Sequence, residues 1–175
     1  MLLFRNHRDG TFEDVSQAWA TMPPQSRRGA AFGDINNDGN VDIVVLNVGE
    51  PPSLLLNRSQ SANHRVLFQL VGTKSNKAAI GARVTVKAGS GVQFDEVRGG
   101  ASYLSQNDLR LHFGLGEFGK MEEVSIRWPS GQAETLRDIR ADFIYTLVEG
   151  SGIYKKVALP PLLPSLPAKD NAEIQ

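Results

Sequence analysis

Cysteine is absent from the 175 residues. That excludes disulfide bridges, thiolate metal sites and cysteine nucleophiles, while leaving the compartment open. Net charge is absent as well. Nineteen lysines and arginines balance nineteen aspartates and glutamates, so no global basic field exists for nucleic acid. No apolar run approaches the roughly 20 residues of a transmembrane helix. The opening residues Met1-Leu2-Leu3-Phe4-Arg5-Asn6 lack the basic region and apolar stretch of a signal peptide. Histidine is scarce, and His7, His64 and His112 are scattered without ligand spacing. No convincing amphipathic helix is visible, and no G-x-S-x-G elbow. Ser102, Ser105, Asp108 and His112 lie close in sequence, but a triad is defined by geometry in space, so they are read as a loop. In that loop Tyr103 and Leu104 are expected to pack beneath a sheet while polar neighbours cap turns.

What the chain does have is oxygen, concentrated in one place. Asp34, Asn36, Asp38, Asn40 and Asp42 recur at alternate positions, and Gly39 permits a sharp bend. Converging carboxylates repel one another unless a positive charge lies among them. Hard cations such as Ca²⁺ take six to eight oxygen ligands and tolerate irregular geometry. The run opens like an EF-hand loop, D-x-N-x-D-G. Its twelfth position is Val45, where a bidentate Glu is required, and the β-branched residues that follow predict a strand. The stretch is therefore read as a Ca²⁺ loop mounted on strands. Asp34, Asn36, Asp38 and Asp42 bind through side chains and Asn40 through its carbonyl. A plain hairpin turn would need only the Asp-Gly.

Around this loop the pattern is short strands. Residues 2–5 and 11–15 form a hairpin, residues 29–33 lead into the loop and residues 42–47 lead out. Residues 16–28 are a loop with Trp19 and Met22 as packing anchors and Pro23-Pro24 barring a helix. Leu54-Leu55-Leu56-Asn57 echoes Leu3-Phe4-Arg5-Asn6 about fifty positions later, a spacing close to one propeller blade. One blade cannot bury its own faces, so residues 1–58 are expected to be the last piece of a longer array. Beyond a polar linker, residues 66–71, 82–87, 92–97, 124–128, 134–136 and 144–148 are strand candidates, several of which alternate apolar and polar residues. Turn signals separate them, including Gly114 to Gly119, which is read as a loop. They predict an antiparallel β-sandwich over residues 65–150. Residues 158–175 are proline-rich and expected to be disordered or extended. Lys74 and Lys77 are read as a solvated turn. Trp128 alternates with Val124 and Ile126 and is expected in the core, with a weaker reading as a sugar-stacking platform.

These segments carry a resemblance. Leu3-Phe4-Arg5-Asn6, Asp9-Gly10-Thr11-Phe12, Gly29-Ala30-Ala31-Phe32-Gly33-Asp34 and the oxygen-rich loop resemble an FG-GAP/VCBS repeat. Val71-Gly72-Thr73-Lys74-Ser75-Asn76, Ile80-Gly81-Ala82-Arg83-Val84, Gly99 to Gln106, Leu111 to Gly116 and Arg127 to Gly131 resemble an ASPIC/UnbV domain. The pair in this order is similar to the C-terminal end of the cartilage acidic protein family. The resemblance implies an all-β chain: a partial propeller blade followed by a sandwich. It implies an extracellular, surface or periplasmic parent whose other blades are missing here, with Ca²⁺ as the bound ion. Asn36 departs from the Asp that many such loops carry, which leaves three carboxylates. The function this implies is non-catalytic adhesion or binding, with a protein or glycan partner. The alternative is the accessory carbohydrate-binding part of a secreted enzyme.

Overall fold

The structure, a computed structural model, describes residues 3–7, 9–19, 26–59 and 61–161. It is all-β, with thirteen strands and one 3-10 turn, Ser16–Trp19, among the described residues. Met22, Pro23 and Pro24 lie outside them, as does the Trp19 side chain. The first strands, β1 (Phe4–Asn6) and β2 (Phe12–Asp14), form a small antiparallel hairpin. A second sheet follows the order β3 (Arg27–Gly33), β4 (Asp42–Asn47), β5 (Ser53–Leu55), all antiparallel. The oxygen-rich loop is its β3–β4 connection.

The remaining strands make two four-stranded sheets. One runs β11 (Ala133–Arg140), β10 (Lys120–Arg127), β7 (Arg83–Ala88), β8 (Gly91–Glu96). The other runs β13 (Gly152–Ala158), β12 (Phe143–Val148), β6 (His64–Val71), β9 (Leu111–Gly116). Period-2 patterning explains how they pack. Val84, Val86 and Ala88 of β7, Leu111, Phe113 and Leu115 of β9, and Met121, Val124 and Ile126 of β10 all face one shared core. Phe68 stacks on Tyr145 at 5.9 Å and meets Phe113 edge-on at 6.0 Å. Each fully buried side chain of this kind contributes roughly 1.5–3 kcal/mol of transfer free energy.

Several expectations are corrected. Not every pair is antiparallel, because β12 runs parallel to β6. A parallel pair needs a long crossover, and β7 to β11 supply one. Gly114 to Gly119 is not a loop throughout, since β9 extends to Gly116. The register slips there, with His64 opposite Gly116 and Arg65 opposite Gly114, so Leu115 is an extra residue. Gly116 takes a φ of 61°, as bulge glycines do. Strand β13 had no periodic signature in the sequence. It ends at Ala158, and Leu159 is buried with its N–H donating to the Asp142 carbonyl. The expected proline-rich tail thus begins inside a strand, and residues 162–175 lie outside the described set. Tyr103 and Leu104 do not pack beneath a sheet; each is 68% exposed. Trp128 is 2% exposed and belongs to the core, so it offers no face for a sugar ring.

Candidate functional site at the oxygen-rich loop

The β3–β4 connection closes on itself through its own backbone. Asp34 Oδ1 accepts the Asp38 N–H at 3.1 Å and its Oδ2 accepts the Gly39 N–H at 2.9 Å. Asp42 Oδ2 accepts from Ile35 N at 3.0 Å, and its Oδ1 reaches out to Asn57 N at 2.8 Å. Asp38 Oδ1 accepts from Asn40 N at 2.7 Å and Oδ2 from the Asn36 amide at 2.9 Å. Asn36 Oδ1 in turn accepts from Asp38 N. These are the Asx-type bonds that short polar side chains make with nearby N–H groups. Asn37 (φ 59°) and Gly39 (φ 84°) supply the left-handed backbone such a tight loop requires.

Asp34 and Asp42 are buried, while Asn36 is exposed and Asp38 and Asn40 are half-buried. Burial is the largest influence on Asp34 and raises its pKa. The N–H bonds from Gly39 and Asp38 and the charge of Arg110 oppose that rise, and the neighbouring Asp38 adds to it. The loop therefore brings all five predicted residues into one turn. It does not draw Asp34, Asp38 and Asp42 onto a common centre. Among the described residues no three His, Cys, Asp or Glu side chains gather as a metal-holding group. The donor chemistry still fits a hard divalent cation. The set is all oxygen, and a carboxylate oxygen accepting one N–H retains a second lone pair.

The second half of the chain grips this loop from outside. Arg65, at the start of β6, donates from Nη2 to the Asp38 carbonyl. Arg110 donates from Nη2 to the Asp34 carbonyl and from Nη1 to Asn37 Oδ1 at 2.6 Å. Its Nε is held by Asp108 Oδ2 at 2.7 Å. His112 Nε2 donates to the Gly39 carbonyl at 2.8 Å; a carbonyl only accepts, so that nitrogen carries the proton. The Arg65 side chain lies so close over Gly39 that a Cβ there would come within 2.1 Å of Nε. Two guanidinium groups thus supply positive charge against the acidic loop. Sequence reasoning missed Arg65 and Arg110, and it placed His112 in a loop with no role at this turn.

The four residues that superficially invited a hydrolase reading serve separate bonds. Ser105 Oγ accepts from Ala30 N and donates to Tyr103 O, Asp108 pairs with Arg110, and His112 holds Gly39. Ser102 forms a lone bridge to Ser105. No nucleophile–base pair is formed among them.

A second polar centre lies at the other end of the sandwich. Glu149 is buried, and its Oε2 accepts the N–H groups of Thr73, Lys74 and Ser75, each at 2.8 Å. Its Oε1 accepts the Ser75 hydroxyl at 2.9 Å and the Ser130 hydroxyl. Three successive N–H groups on one oxygen form an anion nest. Burial alone would raise the Glu149 pKa. The hydroxyl of Ser130, the N–H groups of Ser75 and Thr73 and the Ser75 hydroxyl outweigh it and bring the value to about 2. Lys74 and Lys77 are exposed, as read from the sequence, and the backbone from Thr73 to Ser75 is ordered by a buried carboxylate.

Comparison with known proteins accounts for both halves. Residues 1–45 match the family described as FG-GAP-like repeat. Residues 72–153 match the family described as ASPIC and UnbV. Over these residues the chain is similar to an FG-GAP-like repeat followed by an ASPIC and UnbV domain. It is also similar to Cartilage acidic protein 1. The Xenopus tropicalis protein is 29% identical over 135 residues, covering 75% of this chain and 21% of that protein. The Homo sapiens protein is 29% identical over 132 residues, covering 73% and 20%. This chain spans about a fifth of the length of the curated relatives it matches. The ASPIC and UnbV match holds Glu149 and its nest, together with Arg110 and His112; the FG-GAP-like match holds the whole oxygen-rich loop.

Proposed function

We propose that this chain is a non-catalytic, Ca²⁺-stabilised binding or adhesion module that works outside the cytoplasm, as part of an integrin-like propeller protein. The FG-GAP-like repeat and the likeness to Cartilage acidic protein 1 support the extracytoplasmic, module-type reading. The observation that carries the calcium part is the five-residue oxygen set of Asp34 to Asp42 in a single tight turn.

In this reading Asp34, Asn36, Asp38, Asp42 and the Asn40 carbonyl would hold the ion. Bound there, Ca²⁺ supplies charge neutralisation and rigidity. The residues of the chain do the rest: Gly39 and Asn37 set the bend, and Arg65, Arg110 and His112 fix its carbonyls. Extracellular calcium modules bind at about 10⁻⁴–10⁻³ M, which suits an extracytoplasmic setting. Binding to the folded state alone at ten times Kd stabilises by about 1.4 kcal/mol. For a chain of this length that raises Tm by about 3–6 °C. Titrating Ca²⁺ into the metal-free protein should give that rise, and Asp38→Ala should abolish most of it. An equal rise in Asp38→Ala rules out this loop as the site.

A further inference from the structure

We propose that the ASPIC and UnbV domain acts as an edge cap for the FG-GAP-like repeat, closing the open side of its sheet at β3. The inference does not depend on calcium. Strand β3 is the outer strand of the β3-β4-β5 sheet, and an open strand edge presents unpaired N–H and C=O groups that invite another chain. Here three of them are satisfied by one segment of the second domain. Ala30 N donates to Ser105 Oγ at 3.0 Å, Phe32 N donates to Asn107 Oδ1 at 3.1 Å, and the Phe32 carbonyl accepts the Asp108 N–H at 2.9 Å. Alternate residues of β3 are engaged, the spacing with which an added strand would bind an antiparallel edge. Two side-chain acceptors stand in for carbonyls, so the segment satisfies the edge without continuing the sheet.

The fit is built into the glycines of β3. A Cβ at Gly29 would lie 2.9 Å from Ser105 Oγ and 3.0 Å from the Leu104 carbonyl. A Cβ at Gly33 would lie 2.8 Å from the Asp108 Cβ. Gly29 to Asp34 and Tyr103 to Asp108 are thus matched surfaces. Arg110 extends the same contact from Asp108 to the Asp34 carbonyl, tying the cap to the loop. Terminal units of repeat arrays need a partner that ends the stack with a polar face. The segment from Ser105 to Arg110 has that character.

Amide exchange by NMR on the full chain tests the proposal. Two variants are used: Gly33→Val, which wedges the contact apart, and Ser105→Ala with Asn107→Ala, which removes two acceptors without adding bulk. The cap predicts that the Ala30 and Phe32 amides exchange at least tenfold faster in both, while Val84 and Val124 in the sandwich stay within twofold of wild type. It also predicts concentration-dependent self-association through the uncovered edge, read by light scattering. Should Gly33→Val fail to fold, the double variant decides alone. Ala30 and Phe32 rates within twofold of wild type would overturn the proposal. So would an equal acceleration at Val84 and Val124, because the segment would then be core support and not a cap.

Discussion

At the scale of single residues, Glu149 is the most consequential side chain outside the loop. Its folded pKa is depressed to about 2 from an ordinary value of 4.5. The stability it contributes is therefore fully present above about pH 4.5 and is lost as pH falls from there toward 2. Glu149→Gln keeps the shape but puts an NH2 in place of one oxygen, so a donor faces either the three N–H groups on Oε2 or the two hydroxyls on Oε1. It is expected to lower Tm at pH 7 by at least about 5 °C. It should also flatten the fall in Tm between pH 4.5 and 2.5 measured by calorimetry. An unchanged acid profile would mean that the nest does not set it. Asp34 shifts the opposite way, since burial raises it, so its protonation as pH falls favours the folded state and opposes the loss at Glu149.

At the scale of elements, the strands differ sharply in what they bury. Leu147 of β12 is fully buried between sheets, and Leu→Ala at such a site costs about 2–5 kcal/mol. Val92 on β8 is 63% exposed, and Val92→Ala should stay within about 0.5 kcal/mol. Chemical denaturation of the two variants checks the contrast. The same difference explains what could be read from the sequence. Strands β7, β10 and β12 alternate buried and less buried residues, so period-2 patterning exposed them. Strand β9 was hidden by Gly114 and Gly116, which read as turn residues until the bulge is seen. Strand β13 was hidden because Ile153 to Ala158 are exposed on both faces, and a strand that buries neither face has no alternation. The loop was legible because its oxygen-bearing residues are local, within nine positions. Its clamps were not, because Arg65 and Arg110 are brought to it by tertiary pairing that no local window contains.

At the scale of the whole molecule, burial is unequally shared. The sandwich core draws on β6, β7, β9, β10, β11 and β12. In the β3-β4-β5 sheet Val45 is buried, but Leu46 and Leu54 are 46% and 53% exposed. Local stability follows buried contacts. Deuterium uptake is therefore expected to be fastest in β1, β2 and β5 and slowest in β6 and β12, with β3 intermediate because one edge is covered. Uptake in β5 as slow as in β6 would contradict this ordering.

The parallel pairing of β6 with β12 carries a last consequence. Val66 lies opposite Phe143, roughly 75 residues further along the chain. As the polypeptide emerges from a ribosome or a secretion channel, β6 waits for almost the whole sandwich before its neighbour arrives. Any truncation ahead of Phe143 leaves β6 with a bare flank, so nascent chains of that length are the ones that holding chaperones should recognise.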